Sequence, residues 1–141
     1  MARISGEVFI RRPAEEIFDF VADERNNYDP GIRHTELLTE EPIGVGTRFR
    51  CESVSMGRAA EMVVEITEHE RPKRFASSTH LASMDIHSTL VFEPADGGTL
   101  MRWSSSLEPH GLLKLLAPLL AAAGKRQTSA IWTNLKRTLE T

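Results

Sequence analysis

The side chains with the most obvious chemical potential are five histidines, a single cysteine and a single tyrosine. His34, His69, His80, His87 and His110 lack the close paired spacing of a zinc site, and only Cys51 could add a thiolate, so no metal site is expected. A nucleophilic triad has no support either. No Gly-x-Ser-x-Gly elbow is present, and Cys51 has no visible histidine partner. Gly44-Val45-Gly46 suits a strand turn better than a phosphate-binding loop. Nearly every Asp and Glu falls on an outward row or in a turn, which leaves paired-carboxylate acid–base chemistry unsupported. One cluster stands out. If Ala82-Ser83 turns the chain so that Leu81 meets Met84, then His80, Asp85 and His87 share the outer face of a hairpin. There they could bind a metal or sense pH, or form a solvated surface cluster.

These residues must be held by elements that the hydrophobic pattern marks out. Glu7-Val8-Phe9-Ile10 reads as a short strand. Pro13, Glu15 and Glu16 open a helix, with proline in the first turn and acids at the positive end of the dipole; Ile17, Phe18 and Val21 form its buried side. Residues 26–31 are dense in turn formers and predict a loop or a broken second helix. From there the period is two. Strands are expected at 36–38, 47–54, around Met62, Val64 and Ile66, at 75–81, at 84–92 and at 101–107, with turns at 41–46, 56–58, 70–73 and 95–98. The stretch from Gly111 to Thr141 is different. Positions 113, 116, 120, 124, 127, 131, 135 and 138 recur at helical steps, which predicts one long helix. Strands in this number, joined by tight turns, make an antiparallel meander, and only the last helix is long enough to cover it.

The totals narrow the class. A chain of 141 residues with 40% hydrophobic content can bury a core of its own, and one domain over residues 1–141 is expected. The net charge of -3 argues against a nucleic-acid binder. The charge is uneven: residues 1–107 hold 12 basic and 18 acidic side chains, whereas residues 108–141 hold 5 and 2. That asymmetry could suit an acidic partner or an anionic membrane surface, or simply describe a solvated helix back. A lone Cys51 fits a reducing compartment. The N-terminus lacks the apolar core of a signal peptide, and the apolar run 112–123 contains Lys114 and Pro118 and is too short to span a bilayer. A soluble, cytoplasmic protein without stable membrane insertion is expected; the oligomeric state is left open.

The ordered set of local motifs resembles the START-like, or Bet v 1-like, superfamily, and within it the bacterial polyketide cyclase/dehydrase-like proteins. The resemblance is carried by Arg12-Pro13-Ala14-Glu15-Glu16-Ile17-Phe18 with Ala22-Asp23, by Gly44-Val45-Gly46-Thr47-Arg48-Phe49, and by Glu65-Ile66-Thr67-Glu68 with Pro72. Phe92-Glu93-Pro94, Gly97-Gly98-Thr99 and Leu135-Lys136-Arg137-Thr138-Leu139-Glu140 complete it. Tyr28 departs from the family, many of whose members carry Trp before Asp29-Pro30. The likeness implies an α+β helix-grip fold: a curved antiparallel sheet of about seven strands gripping the long C-terminal helix, with one or two short helices after the first strand.

It also implies a cavity between sheet and helix, and the strand alternation then says which side chains would line it. Those are Phe49, Cys51, Ser53, Met62, Val64, Phe75, Ser77, Thr79, Ile86, Ser88, Leu90, Met101, Trp103 and Ser105, with Leu116, Leu120, Gly124, Gln127 and Ile131 from the helix. Each could equally be plain core. Gly124, costly inside a helix by roughly 1 kcal/mol relative to alanine, either leaves room for a ligand or marks a kink or a helix boundary. Gln127 offers a donor and an acceptor, to a ligand or to a strand carbonyl. A lining rich in apolar groups suits a small hydrophobic ligand such as a lipid, a quinone or a polyketide-like molecule, with no cofactor implied. The alternative is an aromatase/cyclase or dehydratase, which needs a shaped cavity and a few groups that polarise carbonyls. Tyr28 and Arg33, in the loop near the mouth, are the candidates for that role. Residues 111–118 could form a separate gating piece ahead of Pro118.

Overall fold

The computed structural model describes residues 2–26, 28–55 and 57–141. Met1, Asn27 and Met56 lie outside the described residues, and with them parts of the turns expected at 26–31 and 56–58.

Seven strands form one antiparallel sheet: β1 (Ala2–Ile10), β2 (Ile32–Leu37), β3 (Arg48–Ser55), β4 (Arg58–Glu70), β5 (Arg74–His80), β6 (Met84–Ala95) and β7 (Gly98–Pro109). Their order is β1-β7-β6-β5-β4-β3-β2. From β2 to β7 each strand pairs with the next, through short turns after β3, as the period-two pattern predicts, and β1 closes the far edge against β7, from Ala2 opposite Leu107 to Ile10 opposite Thr99. That pairing extends β1 well before Glu7, where the sequence pattern starts it. Gly6 is the reason the early half reads poorly: it lies opposite Trp103, and any Cβ there would stand 2.7 Å from the indole. The glycine is a platform for a ring, not a break.

β2 begins at Ile32 rather than at Glu36. Its pairing with β3 is irregular between Arg33 and Glu36, and His34 there has a φ of 51°. A second irregularity between Ile66 and Glu68 bends β4 against β5; such bulges add twist and help a sheet curl. Across the outer face, exposed cross-strand ion pairs such as Arg48–Glu65 at 2.8 Å and Arg50–Glu61 at 3.2 Å answer the polar half of the alternation. Pairs this exposed add about 1 kcal/mol each at most.

Helix α1 (Ala14–Ala22) follows Pro13, whose φ of -62° and ψ of 149° set the entry, and carries Glu15 and Glu16 in its first turn. It buries Ile17, Phe18 and Val21. The Phe18 ring meets Phe75 and Phe92 edge-on, each at 5.7 Å between centroids. A single 3-10 turn, Glu24–Asn26, follows.

The C-terminal stretch is not one helix. Gly111, with a φ of 60°, opens a separate 3-10 segment, Gly111–Leu116, and helix α2 (Ala117–Glu140) starts afresh with Pro118 in its first turn, where the missing N–H costs nothing. α2 runs unbroken through Gly124 and packs against β1. Gly124 is therefore no kink. A Cβ there would lie 3.1 Å from Leu107 Cδ1, so the glycine allows helix and sheet to approach closely. Beyond it the fully buried row is Trp132, Leu135 and Leu139, displaced by one residue from the expected 131, 135 and 138 at two of its three positions.

Candidate functional site

The registered strands explain where space is left between sheet and helix. On β5, β6 and β7 the inward residues align across the sheet in layers. Phe75, Leu90 and Trp103 form one layer, Ser77, Ser88 and Ser105 the next, and Thr79, Ile86 and Leu107 a third. The middle layer is all serine. Three small side chains side by side cannot fill the depth that their neighbours fill, and the result is a cavity of about 400 Å³. Ser88 Oγ and Ser105 Oγ are 3.0 Å apart, so one hydroxyl donates to the other, and the proton of the accepting hydroxyl is left for a further partner.

Of the lining expected from the alternation, Ser53, Met62, Val64, Phe75, Ser77, Thr79, Ile86, Ser88, Leu90 and Ser105 face this cavity, with Leu120, Gly124, Gln127 and Ile131 from α2. The remaining expected residues stay outside it. Phe49 and Cys51 are fully buried in the core; on their side the cavity is lined by Glu24, Tyr28 and Asp29, from the connection between α1 and β2. Burial pushes the Cys51 thiol up to about 11, so at neutral pH it is a packing residue. Met101 and Trp103 are likewise core residues outside the lining, Trp103 being seated over Gly6. Leu116 ends the 3-10 segment at 45% exposure, because α2 starts only after it and the continuous helical pattern does not hold there. Arg33 is an exposed residue of β2 opposite Glu52, not a loop residue at the mouth.

Several lining residues escaped the sequence pattern. Trp132 and Thr128 belong to the helix row beside the expected one, and the cavity is wide enough to take both rows. Leu81, Ser83 and Met84 come from the β5–β6 turn, and Ile32 from the irregular start of β2. Ser83, Ala123 and Gln127 line the cavity and are also exposed, so it opens between that turn and the first half of α2.

The larger correction concerns charge. Among the described residues, two carboxyls, Glu24 and Asp29, line the cavity, and no Lys, Arg or His does. The Tyr28 hydroxyl donates to Glu24 Oε1 at 3.3 Å. Burial is the main influence on Glu24; the tyrosine hydrogen bond opposes it, Asp29 and Asp23 add repulsion, and the carboxyl is pushed up to about 7. By surface area Glu24 is only partly covered, but protein atoms crowd its carboxyl closely enough for desolvation to dominate. Asp29 is also raised by burial, although its Oδ1 accepts the Gly31 N–H at 2.8 Å. Tyr28 itself is 8% exposed, lies nearly parallel to Trp132 at 5.7 Å, and is held from behind by Asn134, whose Nδ2 donates to the Tyr28 carbonyl at 2.8 Å. The Trp132 indole N–H is buried with no acceptor among the described residues. The connection between α1 and β2 thus places an acid near neutrality, a phenol and a second carboxyl against a wall of apolar side chains and hydroxyls. No spacing rule could announce it, since a connection has no period.

The outer histidine cluster forms as the hairpin geometry predicts. Leu81 N–H donates to the Met84 carbonyl, and His80 Nδ1 meets Asp85 Oδ1 at 2.9 Å. His87 turns instead to Ser78 at 2.8 Å and Glu108 at 3.5 Å. His110 joins from beyond β7: Nδ1 faces the Ala82 carbonyl and Nε2 faces Asp85 Oδ2, each at 3.1 Å. With acceptors on both ring nitrogens, first Ala82 and then Asp85, the His110 pKa is raised. Among the described residues, no three of His, Cys, Asp and Glu are grouped to hold a metal ion. The cluster ties the β5–β6 turn to the start of the 3-10 segment, on the side where the cavity opens.

A curved seven-stranded antiparallel sheet gripping a long C-terminal helix is the helix-grip architecture of START-like and Bet v 1-like proteins. The chain belongs to the family described as polyketide cyclase / dehydrase and lipid transport, whose model matches residues 1–140. Solved structures agree in fold at low identity. TTHA0849 from Thermus thermophilus is 20% identical with a TM-score of 0.79, covering 96% of this chain and 94% of that one. A START superfamily protein from Mycobacterium smegmatis is 14% identical with a TM-score of 0.78, covering 99% of each. Ara h 8.0201 is 16% identical with a TM-score of 0.77, covering 99% and 98%. Among curated protein sequences none matches the chain.

Proposed function

We propose that the chain, acting as one domain over residues 1–141, binds a small hydrophobic molecule, of lipid, quinone or polyketide-like character, between the sheet and α2. The observation that carries this reading is the cavity of about 400 Å³, within the range of small-molecule sites, lined by large apolar side chains and a layer of serines. Ser53, Val64, Phe75, Ser77, Ile86, Ser88, Leu90 and Ser105 contact the ligand from the strands, and Leu120, Gly124, Gln127 and Ile131 from the helix. Among the described residues the cavity has two carboxyls and no basic group, which disfavours a carboxylate or phosphate head and suits a neutral molecule with carbonyl or hydroxyl ends. Native mass spectrometry of freshly purified protein, then solvent extraction, tests the reading. A bound neutral apolar species is expected. An empty protein that also ignores a panel of neutral hydrophobic compounds sinks it.

One observation favours a second reading, an aromatase/cyclase or dehydratase. A carboxyl poised near pH 7 inside an apolar cavity is what proton transfer at a carbon beside a carbonyl requires. In that role the Glu24 carboxylate takes the proton, and its acid form returns it to the oxygen that leaves as water in a dehydration. The Tyr28 hydroxyl, 3.3 Å away, donates its one proton to the Glu24 carboxylate and turns it to the substrate carbonyl once Glu24 has taken up the substrate's proton. Arg33 has no part in it, being exposed outside the cavity. Turnover of a poly-β-ketone mimic that falls in both Glu24→Gln and Tyr28→Phe, with folding intact, supports this reading. Unchanged product formation in both removes it.

A further inference from the structure

The sharpest unanswered feature lies beside the cavity mouth. Leu112, Leu115, Leu116 and Leu119 are 84%, 80%, 45% and 69% exposed, all within eight residues of chain. Folded proteins scatter single exposed leucines freely but seldom group four together without a partner. Leu112 and Leu115 are three apart in the 3-10 segment, whose repeat of three puts them on one side. Leu116, Leu119 and Ala123 follow at steps of three and four into α2. Ala123 is exposed and lines the cavity. The leucine stripe therefore runs into the cavity's open side.

Charge narrows the occupant. From Pro109 to Leu139 there is no Asp or Glu, while Lys114, Lys125 and Arg126 are exposed. The nearest acids in sequence and across the hairpin, Glu108 and Asp85, are engaged by His87 and by His80 with His110. A second copy fits poorly. Pairing this segment with itself about a two-fold axis sets Lys114 near Lys114 with no acid in the segment to answer it. A stripe of eight residues is also small beside the roughly 800 Å² per partner of a stable dimer. An anionic lipid surface answers both halves of the pattern: leucines enter the boundary between headgroups and acyl chains, and the cations meet lipid phosphates.

We propose that the Gly111–Leu116 segment and the first turn of α2 dock the cavity mouth onto an anionic bilayer surface. The contact is interfacial, since no helix among the described residues is long and apolar enough to cross a membrane. Docked this way, the mouth between the β5–β6 turn and α2 faces the bilayer, so an apolar molecule passes from lipid to cavity without crossing water. The proposal goes beyond the ligand reading and does not need it, because docking is measured without a ligand.

The experiment is vesicle flotation of the whole protein at low salt. Pure phosphatidylcholine vesicles are compared with vesicles containing phosphatidylglycerol. Binding to the mixed vesicles, released by salt, is expected. Leu112→Asp with Leu115→Asp should weaken it by roughly tenfold or more while leaving the unfolding temperature unchanged, since both side chains are exposed. Lys114→Glu should reduce binding to the mixed vesicles alone. Absence of wild-type binding overturns the proposal, as does binding that ignores the leucine substitutions. A wild-type dimer that the leucine substitutions convert to monomer, without vesicle binding, overturns it in favour of a second copy. Uptake of a neutral fluorescent hydrophobe is read in parallel. Loss of uptake in the wild type counts against the ligand reading and leaves the docking result standing.

Discussion

Along β5, β6 and β7 the same three strands serve two different purposes. Toward one end their inward side chains are Phe75, Phe92, Met101 and Trp103, met by Phe18 from α1 and by the buried row of α2. Two residues beyond Phe75, Leu90 and Trp103 the inward positions become Ser77, Ser88 and Ser105, and the cover there is the α2 stretch from Leu120 to Ile131. One end is a close-packed core, where every methylene is felt. The other is a chamber whose walls touch only on one side. The difference comes from a single layer of small residues and from a helix that begins late, so fold and site are set by separable sets of side chains.

Substitutions should expose that separation, most strongly at the packed end. Phe18→Ala removes a fully buried ring with aromatic neighbours on three sides and is expected to lower stability by about 3–5 kcal/mol in urea unfolding. A loss below about 1 kcal/mol would mean that this end is looser than its geometry.

The chamber has its own signature in pH. The folded-state pKa of Glu24, about 7, lies above its ordinary value near 4.5, so the folded protein binds the extra proton between those limits. Its contribution is complete below about pH 4.5 and is lost as pH rises to about 7. Discounted for its partial exposure, the loss is on the order of 1–3 kcal/mol. Asp29 acts in the same direction, and His110, raised by Ala82 and Asp85, also loses its contribution as pH rises. The difference between wild type and Glu24→Gln isolates the glutamate: the variant should show a shallower fall in stability from pH 5 to pH 8. Parallel profiles would place the Glu24 carboxyl near its ordinary value.

Filling the chamber should separate binding from stability. Ser77→Phe is expected to weaken binding of a neutral hydrophobic probe at least about tenfold while changing stability by no more than about 1 kcal/mol, because the ring enters space that is already present. A large loss of stability with binding retained would reverse the assignment of the two ends. The smallest effect is expected at Arg33→Ala, exposed on β2 and outside the cavity, where stability and probe binding should stay within about 0.5 kcal/mol of wild type.

Much of this was legible in the sequence. Alternation on β3 to β7 placed Val64, Ser77, Ser88, Leu90 and Ser105 on the inward face, and helical steps placed Leu120, Gly124 and Ile131, because the two periods follow from backbone geometry alone. The family resemblance added the grip of sheet on helix. What failed did so for physical reasons. Phe49, Cys51, Met101 and Trp103 share the inward face, but facing inward does not distinguish a solid core from a chamber. Arg33 lies where a bulge moves the strand boundary. Glu24 and Asp29 sit in a connection without a period, so nothing in their spacing announced a carboxyl that burial carries to about 7.

By itself, then, the amino-acid order determined strand, turn and helix, the face each strand buries, and the acid-free apolar stretch that starts the C-terminal helix. Only the tertiary structure decided which of those faces leave space. Cross-strand register brings Ser77, Ser88 and Ser105 side by side from three separate strands, and the connection between α1 and β2 carries Glu24 and Tyr28 to the same wall. Both depend on contacts between residues distant in sequence, and local backbone preference carries no information about those.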